Sequence, residues 1–585
     1  MFRIVSAGLA ALALSACAGF DGPAASEPAF DLPEAATGRA QSAEAGRGAG
    51  WMAVAANPHA ADAAAAMLAA GGSASDAGIA AQLVLNLVEP QSSGLGGGAF
   101  ALVHDPARGE TIAWDGRETA PAGAEPDMFL KPDGEPANSV AAALGGRSVA
   151  TPSLARLLGD MHARHGRLDW ETLFAPAIAL AEDGFEVSPR LHRLIEFDAE
   201  RLASREAAAA YLLTEDGAPK PVGTRITNPD FAAVLRTLAE SGPDAFYEGG
   251  TPEAIVAAVA SDPKPGPLAL SDFAAYETVM REPVCGSYRD RTVCGMGPPS
   301  SAATTTLAAL ALLERYDLSD MAPLSPEFEH LFVEALNVAY ADRNAYIADP
   351  AFYAPPVAGL IDEAYLDTRA ALIDPHAAGG VYEAGVPPGA EPVGANASGE
   401  QPGTTHISVV DETGQVFAMT STIMAAFGSR VMAEGMFLNN EMTNFSFVAE
   451  DEDGLVANRI EPGKRPLSAM APTIVFGPDG APELVLGSPG GPAIIGYVTR
   501  AIVAMVDFGL SPEEAAALPH VLGANLGAAF LEADTEAAAL EEALAGMGHR
   551  VIVRDLNSGL HIIRVGPEGL EGGADPRREG AVRAD

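Results

Sequence analysis

Gly403-Thr404-Thr405-His406-Ile407-Ser408-Val409-Val410-Asp411 is the stretch on which the fold turns. Thr404 heads an alternating strand pattern, with Gly403 before it and a turn, Asp411-Glu412-Thr413-Gly414, after it. A backbone break between Gly403 and Thr404 would leave Thr404 with both its hydroxyl and a free α-amine. One residue would then carry nucleophile and base together. The amine suits that task because an α-amino group titrates at about pH 7.7–8.0. Taken alone, Thr-Thr ahead of a turn is strand propensity, so the reading depends on what surrounds it.

Downstream stand Thr420-Ser421-Thr422, Phe427-Gly428-Ser429, Leu438-Asn439-Asn440-Glu441-Met442, Pro462-Gly463-Lys464-Arg465-Pro466-Leu467-Ser468 and Gly487-Ser488-Pro489-Gly490-Gly491. Upstream are Glu89-Pro90-Gln91-Ser92-Ser93-Gly94-Leu95-Gly96-Gly97-Gly98, Arg117-Glu118-Thr119-Ala120-Pro121, Pro298-Pro299-Ser300-Ser301 and Tyr340-Ala341-Asp342-Arg343. Ala574-Asp575-Pro576-Arg577-Arg578 closes the series. In this order, over roughly residues 50 to 580, the chain resembles the γ-glutamyltransferase (γ-glutamyltranspeptidase) family of N-terminal nucleophile hydrolases. The resemblance implies an α/β (α+β) fold: a four-layer αββα sandwich formed jointly by two pieces of one precursor. The pieces would be a large subunit, 49–403, and a small catalytic subunit, 404–585, parted by attack of Thr404 on the Gly403 carbonyl.

The same resemblance assigns roles. Thr404 is the nucleophile, Thr422 orients it, and Gly490 and Gly491 supply backbone N–H groups to the oxyanion. Arg117 grips the substrate α-carboxylate, with Ser468 in the same subsite, and Glu441 and Asn444 stand where the α-amine is held. The family pattern is not complete. Ala469 replaces a second Ser, Met424 an Asn, and Asn444 an Asp, and the loop between Asn444 and Pro462 is short. The implied activity is cleavage of γ-glutamyl amides such as glutathione through a threonyl acyl-enzyme, with water or an amine as acceptor and no cofactor or metal. Two other readings stand beside it: an acylase of the same family similar to the cephalosporin acylases, and an inactive lipid-anchored binding protein. A serine hydrolase is excluded because Gly487-Ser488-Pro489-Gly490 lacks nucleophile-elbow spacing.

The net charge is −43, from 35 basic and 78 acidic residues, which repels nucleic acid and argues against such a partner. Met1-Phe2-Arg3 is a short basic start, and Ile4 to Leu14 is an apolar run too short to span a bilayer. It leads to Leu14-Ser15-Ala16-Cys17, which resembles a lipoprotein cleavage box. The expectation is a signal peptide over 1–16, lipidation of Cys17, a flexible tether over 17–48 and a membrane-anchored, exported, periplasmic protein. Cys285 and Cys294 flank a hairpin turning on Arg289-Asp290 and face each other as a non-hydrogen-bonded pair, the register of a structural disulfide.

Between these landmarks the pattern is mostly helical. Asn57-Pro58 and Ser188-Pro189 read as cap-then-proline helix starts. Helices are expected over 76–88, 153–165, 170–183, 188–200, 229–241, 326–347 and 491–508, and strands over 405–410, 415–422, 471–477 and 482–487. Gly94 to Gly98 follows a helix and precedes a strand, the reverse of a dinucleotide-binding unit. His162-Ala163-Arg164-His165 reads as solvated helix surface rather than a metal site, for want of a third ligand.

Overall fold

The computed structural model describes residues 44–396, 398–399, 401–452 and 454–585. Cys17 and the signal peptide lie outside these residues, as does the tether up to residue 43. Two seven-stranded antiparallel sheets form the centre. The first runs, edge to edge, Ala581–Ala584, Met52–Ala55, Thr404–Val410, Val416–Thr422, Gly98–Asp105, Glu110–Gly116 and Val279–Arg281. The second runs Glu44–Gly48, Gly569–Ala574, His561–Gly566, Pro482–Gly487, Thr473–Phe476, Arg291–Gly295 and Val284–Tyr288.

Side-chain alternation stacks these sheets into layers. Along Gly98–Asp105, Phe100 and Leu102 point into an apolar layer shared with Ile474, Val485 and Ile563 of the other sheet. Ala99, Ala101 and Val103 point the opposite way, into a core with the helices Pro58–Ala69 and Ala74–Val88. The second sheet turns Val475, Leu484, Leu486 and Ile562 outward onto the helices Ala302–Leu313, Pro326–Tyr346 and Ile494–Val506. The result is helix, sheet, sheet, helix.

Local chemistry sets the element ends. Asn57 caps the first helix through His59 N, with Pro58 in its first turn, and Ser73 and Asp76 form a reciprocal capping box for the second. The expected 170–183 helix is a 3₁₀ turn, Trp170–Phe174, followed by an α-helix from Ala175, with Pro176 in its first turn. The expected 491–508 helix starts at Ile494, because Gly490 and Gly491 hold φ of 136° and 59° and Pro492 follows.

Two readings need correction. Glu44–Gly48, expected inside the tether, is an edge strand paired with Gly569–Ala574. His165 is not solvated. It is buried, 3.3 Å from the Asp105 carboxylate on one side and accepting from the Trp114 indole N–H on the other. Cys285 and Cys294 are register partners in the Val284–Tyr288/Arg291–Gly295 hairpin and are joined as a disulfide. Among the described residues no helix is long and apolar enough to cross a membrane.

Candidate active site

Thr404 opens the third of the seven strands of the first sheet and pairs with Thr422 on the adjacent, central strand. Thr404, His406 and Ser408 project into the layer between the sheets, while Ile407 and Val409 pack with the helices. In the uncut chain the Thr422 hydroxyl donates to the Gly403 carbonyl oxygen at 2.5 Å. It accepts in turn from Met424 N at 2.8 Å and from the Thr404 hydroxyl at 3.4 Å. One hydroxyl thus joins the Gly403 carbonyl to the Thr404 hydroxyl, and the Thr404 carbonyl is held by Arg578 Nη1 at 3.0 Å.

The loop after Pro482–Gly487 carries the candidate oxyanion glycines. It starts under the His406 ring, which lies only 2.2 Å from where a Cβ on Gly487 would stand. That position therefore requires glycine. Ser408 spends its hydroxyl proton on the His561 carbonyl, so His406 donates from Nε2 to Ser408 and accepts at Nδ1 from Thr420. Burial, and secondarily His561, holds His406 far below the usual imidazole range, so it is a neutral brace. Gly491 faces the backbone of Gln401 and Pro402, with 3.2–3.3 Å between their atoms and its Cβ position. The segment preceding Thr404 therefore lies over Gly491.

One small cavity of about 20 Å³ gathers Arg117, Gln401, Thr404, Thr422, Met424, Glu441, Asn444, Ser468, Ala469 and Gly491. Every expected catalytic or substrate-binding residue lines it except Gly490, which immediately precedes Gly491. Arg117 is fully buried and pairs with Glu441 Oε2 at 2.8 Å and Glu118 Oε2 at 3.3 Å. It also donates to the carbonyls of Pro466 and Leu467. Burial, then the Glu441 charge, pushes the Glu118 carboxyl well above the usual carboxylate range despite Arg117 pulling it down. Glu118 is accordingly the carboxyl pushed toward its neutral form, and Glu441 the one in closer contact with Arg117. Asn444 Nδ2 donates to Glu441 Oε2 at 3.0 Å. Met424 presents a thioether where the family pattern has an amide, and does so at φ 76°. A left-handed non-glycine residue costs about 1–2 kcal/mol, least for Asn or Asp.

A wider cleft of about 840 Å³, lined by Arg47, Arg291, Arg564, Glu483 and Glu571, shares none of these residues. Its arginines are already paired with Glu571 and Glu483, which leaves it no evident chemistry.

Sequence reasoning missed several contributors. Arg578 and Glu118 sit inside quoted motifs but received no role. Arg343 donates to the Ser301 hydroxyl, which donates to the Ser468 carbonyl, so the Tyr340–Arg343 motif acts through the Ser300-Ser301 turn. Asn440 accepts from Ala425 N and holds the loop bearing Met424. The available signal was their place inside the quoted motifs, which gives no partner.

Two stacked sheets between helices, with a threonine leading an inner strand into the space between them, define an N-terminal nucleophile hydrolase. The sequence matches the family described as Gamma-glutamyltranspeptidase over residues 60–584, and the chain belongs to that family. It is 33% identical to a glutathione hydrolase proenzyme of Bacillus subtilis (strain 168) over 543 residues, 91% of each chain. It is 35% identical to the acylase ACY 1 proenzyme of Pseudomonas sp. (strain SE83), covering 90% of this chain and 92% of that one. Its structure is similar to a cephalosporin acylase from Bacillus halodurans, with a TM-score of 0.81, 25% identity, and 92% and 97% of the two chains covered.

Proposed function

We propose that the chain cuts itself between Gly403 and Thr404 and then hydrolyses or transfers γ-glutamyl groups from amides such as glutathione. The observation that carries the substrate class is the Arg117–Glu441 ion pair at 2.8 Å in the wall of the Thr404 cavity. An α-amino acid headgroup brings one carboxylate and one ammonium. It exchanges that pair for two new ones, carboxylate on Arg117 and ammonium on Glu441, leaving no buried charge uncompensated. A glutaryl group brings only the carboxylate and strands Glu441.

Turnover follows from the site. Thr404 Oγ attacks the acyl carbon while its proton passes to the Thr404 α-amine. Backbone N–H groups of Gly490 and Gly491 take the oxyanion. The intermediate collapses to an ester as the leaving amine receives the proton. Water or an amine acceptor then attacks the ester, gives its proton to the α-amine, and Thr404 Oγ regains it. Proton transfer of this kind contributes about 10²–10⁴ in rate.

Acylase activity is the second reading, favoured by Met424, which puts a thioether in the amine subsite, and by Asn444, which is uncharged where the family pattern has an Asp. Export as a lipid-anchored protein through Cys17 belongs to the same proposal, and a disulfide between Cys285 and Cys294 suits an oxidising compartment.

The test is electrophoresis of the parent beside Thr404→Ala, followed by anilide release from γ-glutamyl and glutaryl donors. The expected result is two bands for the parent, one for the variant, and faster release from the γ-glutamyl donor. A preference for glutaryl would select the acylase reading, and an uncut, inactive parent would leave only a binding protein.

A further inference from the structure

The walls of the cavity are closed into a ring by a residue that does not line it. Asn458 lies in the short loop between Asn444 and Pro462 and is completely buried. Its Nδ2 donates to the Asn444 carbonyl at 2.8 Å, and its Oδ1 accepts from Leu467 N at 3.0 Å. The Leu467 carbonyl accepts from Arg117 Nη2 at 3.0 Å, Arg117 pairs with Glu441, and Glu441 accepts from Asn444. The circuit Arg117–Leu467–Asn458–Asn444–Glu441 returns to its start.

Both bonds fix the amide orientation unambiguously, because a backbone N–H must face oxygen and a backbone carbonyl must face N–H. No other common side chain of this size supplies one donor and one acceptor on a single rigid plane. Ionised aspartate offers oxygen to both sides, and alanine leaves a buried carbonyl and a buried N–H without partners.

We propose that Asn458 is a positioning residue that sets the separation of the two substrate-reading walls. One arm fixes the stretch carrying Glu441 and Asn444, the ammonium side. The other fixes Leu467, and with it Arg117 and Ser468, the carboxylate side. This rests on the γ-glutamyl reading of the cavity and extends it to a residue outside the substrate's reach. The loop is also completed by the large-subunit side of the cut: Gly394 bridges Val456, and Ser398 bridges Ser446.

The arms separate experimentally. Asn458→Asp, compared across a pH range that ends with the new carboxyl ionised, keeps the acceptor for Leu467 N. It then loses the donor to Asn444 and, at 3.4 Å, to Asn396 Oδ1, so the ammonium side loosens while the Leu467 side holds. The expected result is a KM about tenfold higher for a γ-glutamyl anilide, with kcat within about twofold and the KM for a glutaryl anilide nearly unchanged. Asn458→Ala loses both arms and raises both KM values. Cutting is followed on a gel and the thermal midpoint is recorded for each variant. If Asn458→Ala does not cut, Asn458→Asp decides alone. KM values within twofold of the parent for both donors overturn the proposal. So does a loss confined to kcat that follows the thermal midpoint for both donors alike. A parent that prefers glutaryl refutes the γ-glutamyl reading instead, and is recognised before any variant is compared.

Discussion

Glu441 is where the chemistry of the site is decided. Two carboxylates flank Arg117, and the structure sets them apart: burial, then the neighbouring Glu441 charge, holds the Glu118 carboxyl well above the usual carboxylate range, while Glu441 makes the shorter contact with the guanidinium. Replacing Glu441 by Gln keeps the hydrogen-bonding shape and deletes the charge that an ammonium needs. A hydrogen bond to a charged group contributes about 1.5–3 kcal/mol. The γ-glutamyl to glutaryl preference should therefore fall about tenfold to a hundredfold in kcat/KM for Glu441→Gln. An unchanged ratio in paired assays would show that Glu441 does not meet the amine. Thr404, Thr422, Arg117, Ser468 and Gly491 could be expected together from sequence because each sits in a dense local motif, and they line one cavity. The Arg117–Glu441 pairing could not, since it joins residues more than three hundred positions apart and emerges only when two loops fold over one strand.

The Thr404–Val410 and His561–Gly566 strands carry a histidine each into the layer between the sheets. The His406 and His561 rings lie parallel, with centroids 6.3 Å apart. Neither nitrogen of His561 makes a well-formed hydrogen bond, and burial pushes its pKa down to about 3, with Arg578 adding to the effect and Asp575 opposing it. The sign follows directly. Above about pH 6.5 the ring is neutral folded or unfolded and contributes no pH dependence. As pH falls below that value the unfolded chain takes a proton the fold refuses, costing about 1.4 kcal/mol per unit until near pH 3. His561→Gln should consequently shift the acid-unfolding midpoint to lower pH in circular-dichroism titrations, and a midpoint at or above the parent's would contradict this. Strand and helix identities were readable from alternation and caps, as at Asn57-Pro58 and the 404–422 hairpin. His165 was misread because a helix periodicity shows which face is polar but not that Trp114 and Asp105 cover it. Glu44–Gly48 was misread because five small and charged residues become a strand only beside Gly569–Ala574.

Taken whole, the molecule carries a net charge of −43 and has only four lysines, Lys131, Lys220, Lys264 and Lys464, among its 35 basic residues. Lys464 is buried, donating to Ala457 O and Glu461. Many arginines are tied to a specific carboxylate, such as Arg500 to Glu329 and Arg577 to Glu532. The excess acidic charge repels itself across the surface. Screening shortens from about 10 Å at 0.1 M salt to about 3 Å at 1 M. Raising sodium chloride from millimolar to molar should lift the thermal midpoint by a few degrees in scanning calorimetry. A flat or falling midpoint would mean that paired surface charges outweigh the net repulsion.

Met52–Ala55 lies between Ala581–Ala584 and Thr404–Val410, and Gly98–Asp105 is hydrogen-bonded to Val416–Thr422. Strands from before and after the proposed Gly403–Thr404 cut are shuffled like two hands of cards. Neither fragment owns a complete sheet, so scission cannot release them and neither has a template on which to form alone. Maturation must come after folding, and denatured fragments, once parted, have lost the tether that first brought their strands into order.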